Sequence, residues 1–141
     1  MRQAAGSQLR VLVVESYKHH EAANALVGYL RSQGCSVDQI DAGWHAWQIM
    51  HILKYSVVIM DLRLRDISGL ELLRLMRALD SAPPTILGMD NQMPSIQRIA
   101  MNMGAAECYV KPLPPEEVFE LMIRVLDCCD ETDGYDNQLA A

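Results

Sequence analysis

The sequence predicts an α/β domain: a doubly wound parallel sheet of five strands in the order 2-1-3-4-5, flanked by five helices. Three observations predict it. Short apolar runs alternate five times with longer amphipathic segments, which is the pattern of successive βαβ units. Two of those runs, 9–14 and 56–60, carry apolar residues on both faces, as strands covered on both sides of a sheet must. Gly34, the Pro83-Pro84 pair and Gly104 fall between segments and the Pro114-Pro115 pair opens the last one, where helices stop and start.

The elements follow in order. Leu9 to Val14 is a buried strand that ends at the polar pair Glu15-Ser16. Lys18 to Gln33 repeats Ala22, Ala23, Leu26, Val27 and Leu30 at helical spacing, and Gly34 stops it. Ser36 to Asp41 alternates as a second strand, and Gly43 to Leu53 is a second helix with Trp44, Trp47 and Ile49-Met50 on its apolar positions. Ser56 to Met60 is a third strand that runs straight into Asp61. A loop from Leu62 to Ser68 is punctuated by Gly69, and Leu70 to Leu79 is an amphipathic helix that ends before the prolines. Thr85 to Met89 is the fourth strand, Pro94 to Met103 the fourth helix with Gly104 as its cap, and Cys108 to Val110 the fifth strand. The last helix, Pro114 to Cys128, opens with proline and two glutamates, both favoured at a helix start. Right-handed crossovers between five such units give a flavodoxin-like sheet. The domain is expected over residues 9–129, with flexible ends at 1–8 and 130–141.

The 141 residues are the size of one domain, long enough to bury a core without staples. A net charge of -6 argues against a surface that wraps nucleic acid. Cys35, Cys108, Cys128 and Cys129 lack metal-ligand spacing and read as reduced thiols of a cytoplasmic protein. The first eight residues lack the apolar run of a signal peptide, and no stretch approaches the ~18 apolar residues that span a bilayer. No membrane contact is expected.

Functional groups of a doubly wound sheet gather at the carboxyl ends of its strands. Here those ends supply Glu15 and Ser16, Asp61, Met89 and Asp90, and Lys111 followed by Pro112. Two carboxylates brought together need a cation or a lysine to compensate them. Mg²⁺ takes hard oxygen ligands, commonly one or two carboxylates with waters. A lysine can hold phosphoryl oxygens as a point charge, and an aspartate can act as a nucleophile toward phosphorus.

Several segments resemble the receiver domain of two-component response regulators. Val-Leu-Val-Val-Glu-Ser (11–16) resembles the family's first strand with its acidic pair. Val-Val-Ile-Met-Asp-Leu-Arg-Leu-Arg-Asp-Ile-Ser-Gly (57–69) resembles the third strand, the phosphoacceptor and the loop that closes on glycine. Asp-Ala-Gly-Trp-His-Ala-Trp (41–47) resembles the opening of the second helix, and Gly-Ala-Ala-Glu-Cys-Tyr-Val-Lys-Pro (104–112) the fifth strand with its Lys-Pro signature. The likeness runs from about Leu9 to Leu126, and the order and spacing of the pieces make it specific. It implies that Asp61 accepts a phosphoryl group from a sensor histidine kinase or phosphotransfer protein, and that Lys111 holds the phosphoryl oxygens. It implies Mg²⁺ between Glu15, Asp61 and the backbone carbonyl of Arg63, and a cis Lys111–Pro112 bond. It also implies a signalling module whose only chemistry is phosphotransfer to its own Asp61. Output would pass to a downstream domain or protein, with homodimerisation through the fourth helix, fifth strand and fifth helix.

The sequence departs from the family at five places. Glu15 is a common variant of the first acid, but Ser16 stands where a second aspartate usually touches the metal. Met89 stands where a Thr or Ser contacts the phosphoryl group, and a thioether donates no hydrogen bond. Asp90 follows where a small residue is usual, and its charge would oppose a phosphoryl dianion. Cys108 occupies the aromatic switch position, while Tyr109, one residue on, is expected to point to the other face of the strand. Arg65 replaces the loop proline. These changes touch mechanism more than fold. They predict weak or absent Mg²⁺-dependent phosphorylation and signalling through protein contacts.

Blander readings stand beside these. Arg63 or Arg65 could swing a guanidinium into the acidic pocket in place of the metal, but a solvated surface position is the reading taken. His19 and His20 read as solvated, and Met93, Met101 and Met103 as core and interface packing. Trp44 and Trp47, three apart, share a helix face and read as core, with one of them left partly exposed. One rival function is a phosphorylation-independent pseudo-receiver, which Ser16 and Met89 favour and Asp61 and Lys111 oppose. Another is a flavodoxin-like enzyme or cofactor binder. The turn from Glu15 to Lys18 lacks the Gly-rich or Ser/Thr-rich loop that cradles a flavin phosphate, which ranks this last.

Overall fold

The computed structural model describes the backbone of residues 9–16 and 20–140, and the side chains of 9–16 and 21–128. Five strands and five helices alternate: β1 (Arg10–Val14), α1 (His20–Ser32), β2 (Ser36–Ile40), α2 (Gly43–Met50), β3 (Val57–Asp61), α3 (Gly69–Met76), β4 (Thr85–Met89), α4 (Pro94–Asn102), β5 (Glu107–Val110) and α5 (Pro115–Ala140). The strands form one sheet in the order β2-β1-β3-β4-β5, with every pairing parallel. The expected fold class and strand order are both observed.

Alternation along the strands builds two cores. Val11, Val13, Val57, Ile59 and Ile86 face α1 and α5, where they meet Leu26, Leu30, Val118 and Met122. Leu12, Val14, Val58, Met60, Leu87 and Met89 face the other way, onto Leu72, Met76 and Ala100 of α3 and α4 and onto Ala46 and Met50 of α2. The central strands are buried on both faces, which is why they read as continuous apolar runs.

Several boundaries differ from the sequence reading, among them the end of α2 at Met50 rather than Leu53 and those of α3 and α5. Gly69 is the first residue of α3 rather than loop punctuation, because Ser68 caps the helix and its side chain accepts from the Glu71 amide at 3.1 Å. α3 then ends at Met76, and Arg77, Ala78 and Leu79 finish it with tighter bonds back to residues three earlier. α5 does not stop at Cys128: its backbone stays helical to Ala140. The added stretch holds no proline, and its one glycine, Gly134, costs a helix only ~1 kcal/mol.

His19 lies outside the described residues, and His20 opens α1. The two tryptophans separate: Trp47 packs against the α2–α4 core and meets His51 edge-on at 4.4 Å, whereas Trp44 is 49% exposed. Met93 and Met103 pack on the same core, while Met101 is exposed. Cys35, Cys108 and Cys128 are free thiols. Among the described residues no helix is long and apolar enough to cross a membrane.

Candidate functional site

The register of the sheet assembles the site. Val14 pairs with Met60, so Glu15 and Asp61 come next on neighbouring strands. Asp61 pairs with Gly88, and Gly88 with Tyr109. The four residues form one row across the carboxyl end of the sheet, on the α1/α5 side. The ladder continues one residue further, where the Lys111 amide donates to the Met89 carbonyl at 2.7 Å. Lys111 thus starts above Tyr109 and reaches back along the row.

Its ammonium joins the two acids. Lys111 Nζ donates to Glu15 Oε1 at 2.8 Å and lies 3.0 Å from Asp61 Oδ2. The approach to Oδ2 falls outside hydrogen-bond geometry, so that contact is an ion pair. The Asp61 side chain is 1% exposed and that of Lys111 12%. Buried carboxylates repel unless compensated, and here one ammonium serves two of them. The Lys111–Pro112 bond is cis.

The loop that follows Asp61 is fixed at both ends. The Arg63 amide donates to Asp61 Oδ1 at 3.4 Å, and Arg63 bridges Ser68 across the loop. The Gly69 amide donates to the Leu62 carbonyl at 2.7 Å. A Cβ on Gly69 would come within 2.5 Å of the Asp61 carbonyl oxygen, so this close approach requires glycine. Neither arginine enters the pocket: Arg63 is exposed, and Arg65 Nε pairs with Asp41 at 3.5 Å on the surface. Lys111 supplies the charge instead.

The loop is also tied to α2 by a residue that sequence reasoning missed. Asp66 Oδ1 accepts from the Gly43 amide at 2.7 Å and the Ile67 amide at 2.9 Å, and Oδ2 accepts from the Trp44 amide at 2.9 Å. The residue before α2 is Ala42, which has no side chain to cap with. Burial pushes the Asp66 carboxyl up, but the amides of Trp44, Gly43 and Ile67 outweigh it and hold the group below the ordinary aspartate range.

The positions that depart from the family pattern are placed as follows. Ser16 is buried beside Glu15 in a cleft of about 440 Å³ that Asp41 and His45 also line. Met89 is fully buried on the α2–α4 side. Asp90 is exposed. Cys108 is half-buried on the same side as Met89, with its Sγ 4.0 Å from Met101 Sδ. Tyr109 faces the opposite way, as its position in the strand predicts, and packs on the α1/α5 core. Burial, and after it the charges of Glu15 and Asp61, push its phenol well above the usual tyrosine range.

The donor set can be weighed for Mg²⁺. Glu15 and Asp61 are two hard-oxygen donors from adjacent strands, which meets the minimum for this ion. Ser16 adds no charge, and no group of three His, Cys, Asp or Glu that could hold a metal occurs among the described residues. The residues fit a sparse Mg²⁺ site that leaves most positions to water.

Comparison with known proteins decides the family. The sequence profile described as "Response regulator receiver domain" matches residues 11–123. The chain belongs to the response regulator receiver domain family. The two-component response regulator ORR11 of Oryza sativa is 30% identical over 125 residues, 86% of this chain and 83% of that protein. A probable transcriptional regulator of Porphyra purpurea, ycf29, is 31% identical over 102 residues, 71% of this chain but only 49% of the relative. The chain therefore spans about half the length of that regulator. Among solved structures, the receiver domain of a LuxO repressor protein from Vibrio parahaemolyticus superposes with a TM-score of 0.80 at 22% identity, covering 89% of this chain and 95% of the other. The receiver domain of a sensor histidine kinase from Pseudomonas aeruginosa, solved with a magnesium ion in its active-site cleft, gives 0.73 at 23% identity, covering 84% and 98%. This chain is a receiver domain of the two-component response regulator kind.

Proposed function

We propose that Asp61 of this receiver domain accepts a phosphoryl group from the phosphohistidine of a sensor kinase or phosphotransfer protein. One observation carries the reading: Lys111, Glu15 and Asp61, from three different strand ends, meet within 2.8 and 3.0 Å. An Asp61 carboxylate oxygen attacks phosphorus, the P–N bond breaks, and its electron pair stays on the imidazole, which then takes a proton. The product is an acyl phosphate on Asp61. Lys111 leaves Oδ2 to meet the incoming phosphoryl oxygens, and Glu15 keeps it tethered over the row. When bound by Glu15 and Asp61, Mg²⁺ supplies further positive charge against those oxygens. With Ser16 in place of a second aspartate, the site takes the phosphoryl group less readily than a receiver with the full acidic set.

Output passes through the face formed by α4, β5 and α5, where Ile99 and Met101 stand exposed on α4. That face is offered to a downstream domain, a partner protein or a second copy. A cytoplasmic location belongs to this reading. The chain itself binds neither nucleic acid nor membrane in it.

The test is intact-mass measurement after incubation with acetyl phosphate or phosphoramidate in Mg²⁺ buffer. A gain of one phosphoryl group, absent in Asp61→Asn, is expected. No gain in the wild type overturns the reading in favour of a phosphorylation-independent pseudo-receiver, which Met89 and Ser16 favour. A gain that survives Asp61→Asn moves the acceptor elsewhere.

A further inference from the structure

We propose that Tyr109 is a further ligand-contacting residue of this site, its phenol passing over Gly88 to donate a hydrogen bond to the anion held at Asp61 and Lys111. The inference rests on the phosphoacceptor reading above. It starts from the row Glu15, Asp61, Gly88, Tyr109, whose members share one face of the sheet. Neighbouring strands lie ~4.8 Å apart, so Tyr109 begins two strands, roughly 10 Å, from Asp61. Any side chain at position 88 would stand between them.

Gly88 leaves that space open, and Tyr109 fills it. A Cβ at position 88 would meet Tyr109 Cζ at 2.9 Å, its hydroxyl oxygen at 3.0 Å and Lys111 Cε at 2.9 Å. The tip of the phenol therefore lies over the backbone of β4 rather than over its own strand. It sits beside the lysine chain that runs to Asp61. Bulk is absent at 88 and supplied at 109, and the hydroxyl is delivered about one strand spacing from the acceptor.

The chemistry of the group suits an anion. Burial, and after it the charges of Glu15 and Asp61, keep the phenol protonated, so it donates. Met89, at the position where the family carries a hydroxyl, is fully buried and has none to give. Tyr109 returns a hydroxyl to the site from the next strand. A hydrogen bond from a neutral donor to a charged acceptor is the stronger kind, and its loss weakens binding by about tenfold or more.

Tyr109→Phe keeps the ring over Gly88 and removes only the hydroxyl. The wild-type chain and this variant are compared for affinity to beryllium fluoride in Mg²⁺ buffer by calorimetry, with thermal unfolding as the check on folding. In parallel, ¹⁹F spectra are recorded on chains labelled with 3-fluorotyrosine. The expected result is binding about tenfold weaker in the variant at unchanged unfolding temperature. The ¹⁹F resonance that the variant lacks shifts when beryllium fluoride is added to the wild type. Equal affinities with that resonance unmoved reduce Tyr109 to a filler of space; the proposal is then overturned while the phosphoacceptor reading stands. If the wild type neither binds beryllium fluoride nor takes a phosphoryl group from acetyl phosphate, both fall together.

Discussion

Asp66 offers the sharpest test of how the acceptor loop is held. The first amides of a helix have no partner within it, and a side-chain acceptor at the cap position normally meets them. α2 begins after Ala42, so Asp66 does this work from the loop that follows Asp61, accepting from Gly43 and Trp44 of α2 at 2.7 and 2.9 Å and from Ile67 of its own loop at 2.9 Å. Losing a cap costs ~0.5–2 kcal/mol, and the carboxylate adds a favourable interaction with the helix dipole. With three amides served by an exposed side chain, Asp66→Ala should cost about 1.5 kcal/mol. That lowers the thermal midpoint by roughly 5 °C for a chain of this size. Asp66→Asn keeps the oxygen that serves Gly43 and Ile67 but replaces the one that serves Trp44, so about half the loss is expected. The pH dependence has a fixed sign. A carboxyl depressed in the folded state stabilises fully above its unfolded value of about 3.9 and loses that contribution as pH falls through the folded value. The gap between wild type and Asp66→Ala, measured by urea unfolding, should therefore hold steady from pH 7 down to about 5 and close below about 3.9. Equal midpoints at pH 7 would refute the capping role.

Three further outcomes follow from the same geometry. Asp61→Asn removes a buried carboxylate that lies beside Glu15 and should raise stability by about 1 kcal/mol in urea unfolding; a loss of that size would show that the Lys111–Asp61 ion pair outweighs the repulsion between the two acids. Gly69→Ala should cost ~2–3 kcal/mol and slow phosphoryl uptake, because its Cβ meets backbone at 2.5 and 3.0 Å and the Asp61 loop must move; uptake and stability at wild-type levels would contradict this. Met89→Thr introduced into Tyr109→Phe should restore most of the lost beryllium fluoride affinity, at ~1–3 kcal/mol of core stability for the buried methionine; affinity that stays at the level of the single variant would mean the two hydroxyls are not equivalent.

The fold was legible because its signals are local. Val-Val-Ile-Met before Asp61 and Val-Leu-Val-Val before Glu15 announce central strands, and glycine and proline mark the connections. The row of Glu15, Asp61 and Lys111 followed once a parallel sheet was granted, because strand ends gather in such folds. The start of α3 is also legible: Ser68 and Glu71 stand three apart, the spacing of a capping pair, with the glycine between them inside the helix. Asp66 was not legible, since its partners lie 22 and 23 residues away. The only hint was Ala42, a poor cap before a helix. Gly88 and Tyr109 were hidden for a different reason. Gly88 is unremarked along its own strand and Tyr109 is assigned only to the face opposite Cys108, so only the register of β4 against β5 reveals that one makes room for the other.

That register bears on how a bound anion would be read by the rest of the molecule. On the α2–α4 side, the carboxyl ends of β4 and β5 present Met89, Cys108 and Val110, while the one hydroxyl of β4 on that side, Thr85, stands at the strand's other end against Met76. Cys108 faces Met101 of α4 through a sulfur contact at 4.0 Å, which no charge at the acceptor can pull directly. On the other side, Tyr109 and Leu113 pack with Val118, Phe119 and Met122 of α5. A phenol that moves toward an anion drags on this second core. Occupation of the site should therefore be felt first at the start of α5 and only weakly in α4. Hydrogen exchange measured with and without beryllium fluoride should slow more over 115–122 than over 94–102. Larger protection in α4 would mean that the signal crosses Met89 and Cys108 after all, and that Tyr109 holds the anion without reporting it. Loss of the α5 protection in Tyr109→Phe, at beryllium fluoride concentrations that saturate the variant, would tie the relay to the hydroxyl itself rather than to the charge at Asp61.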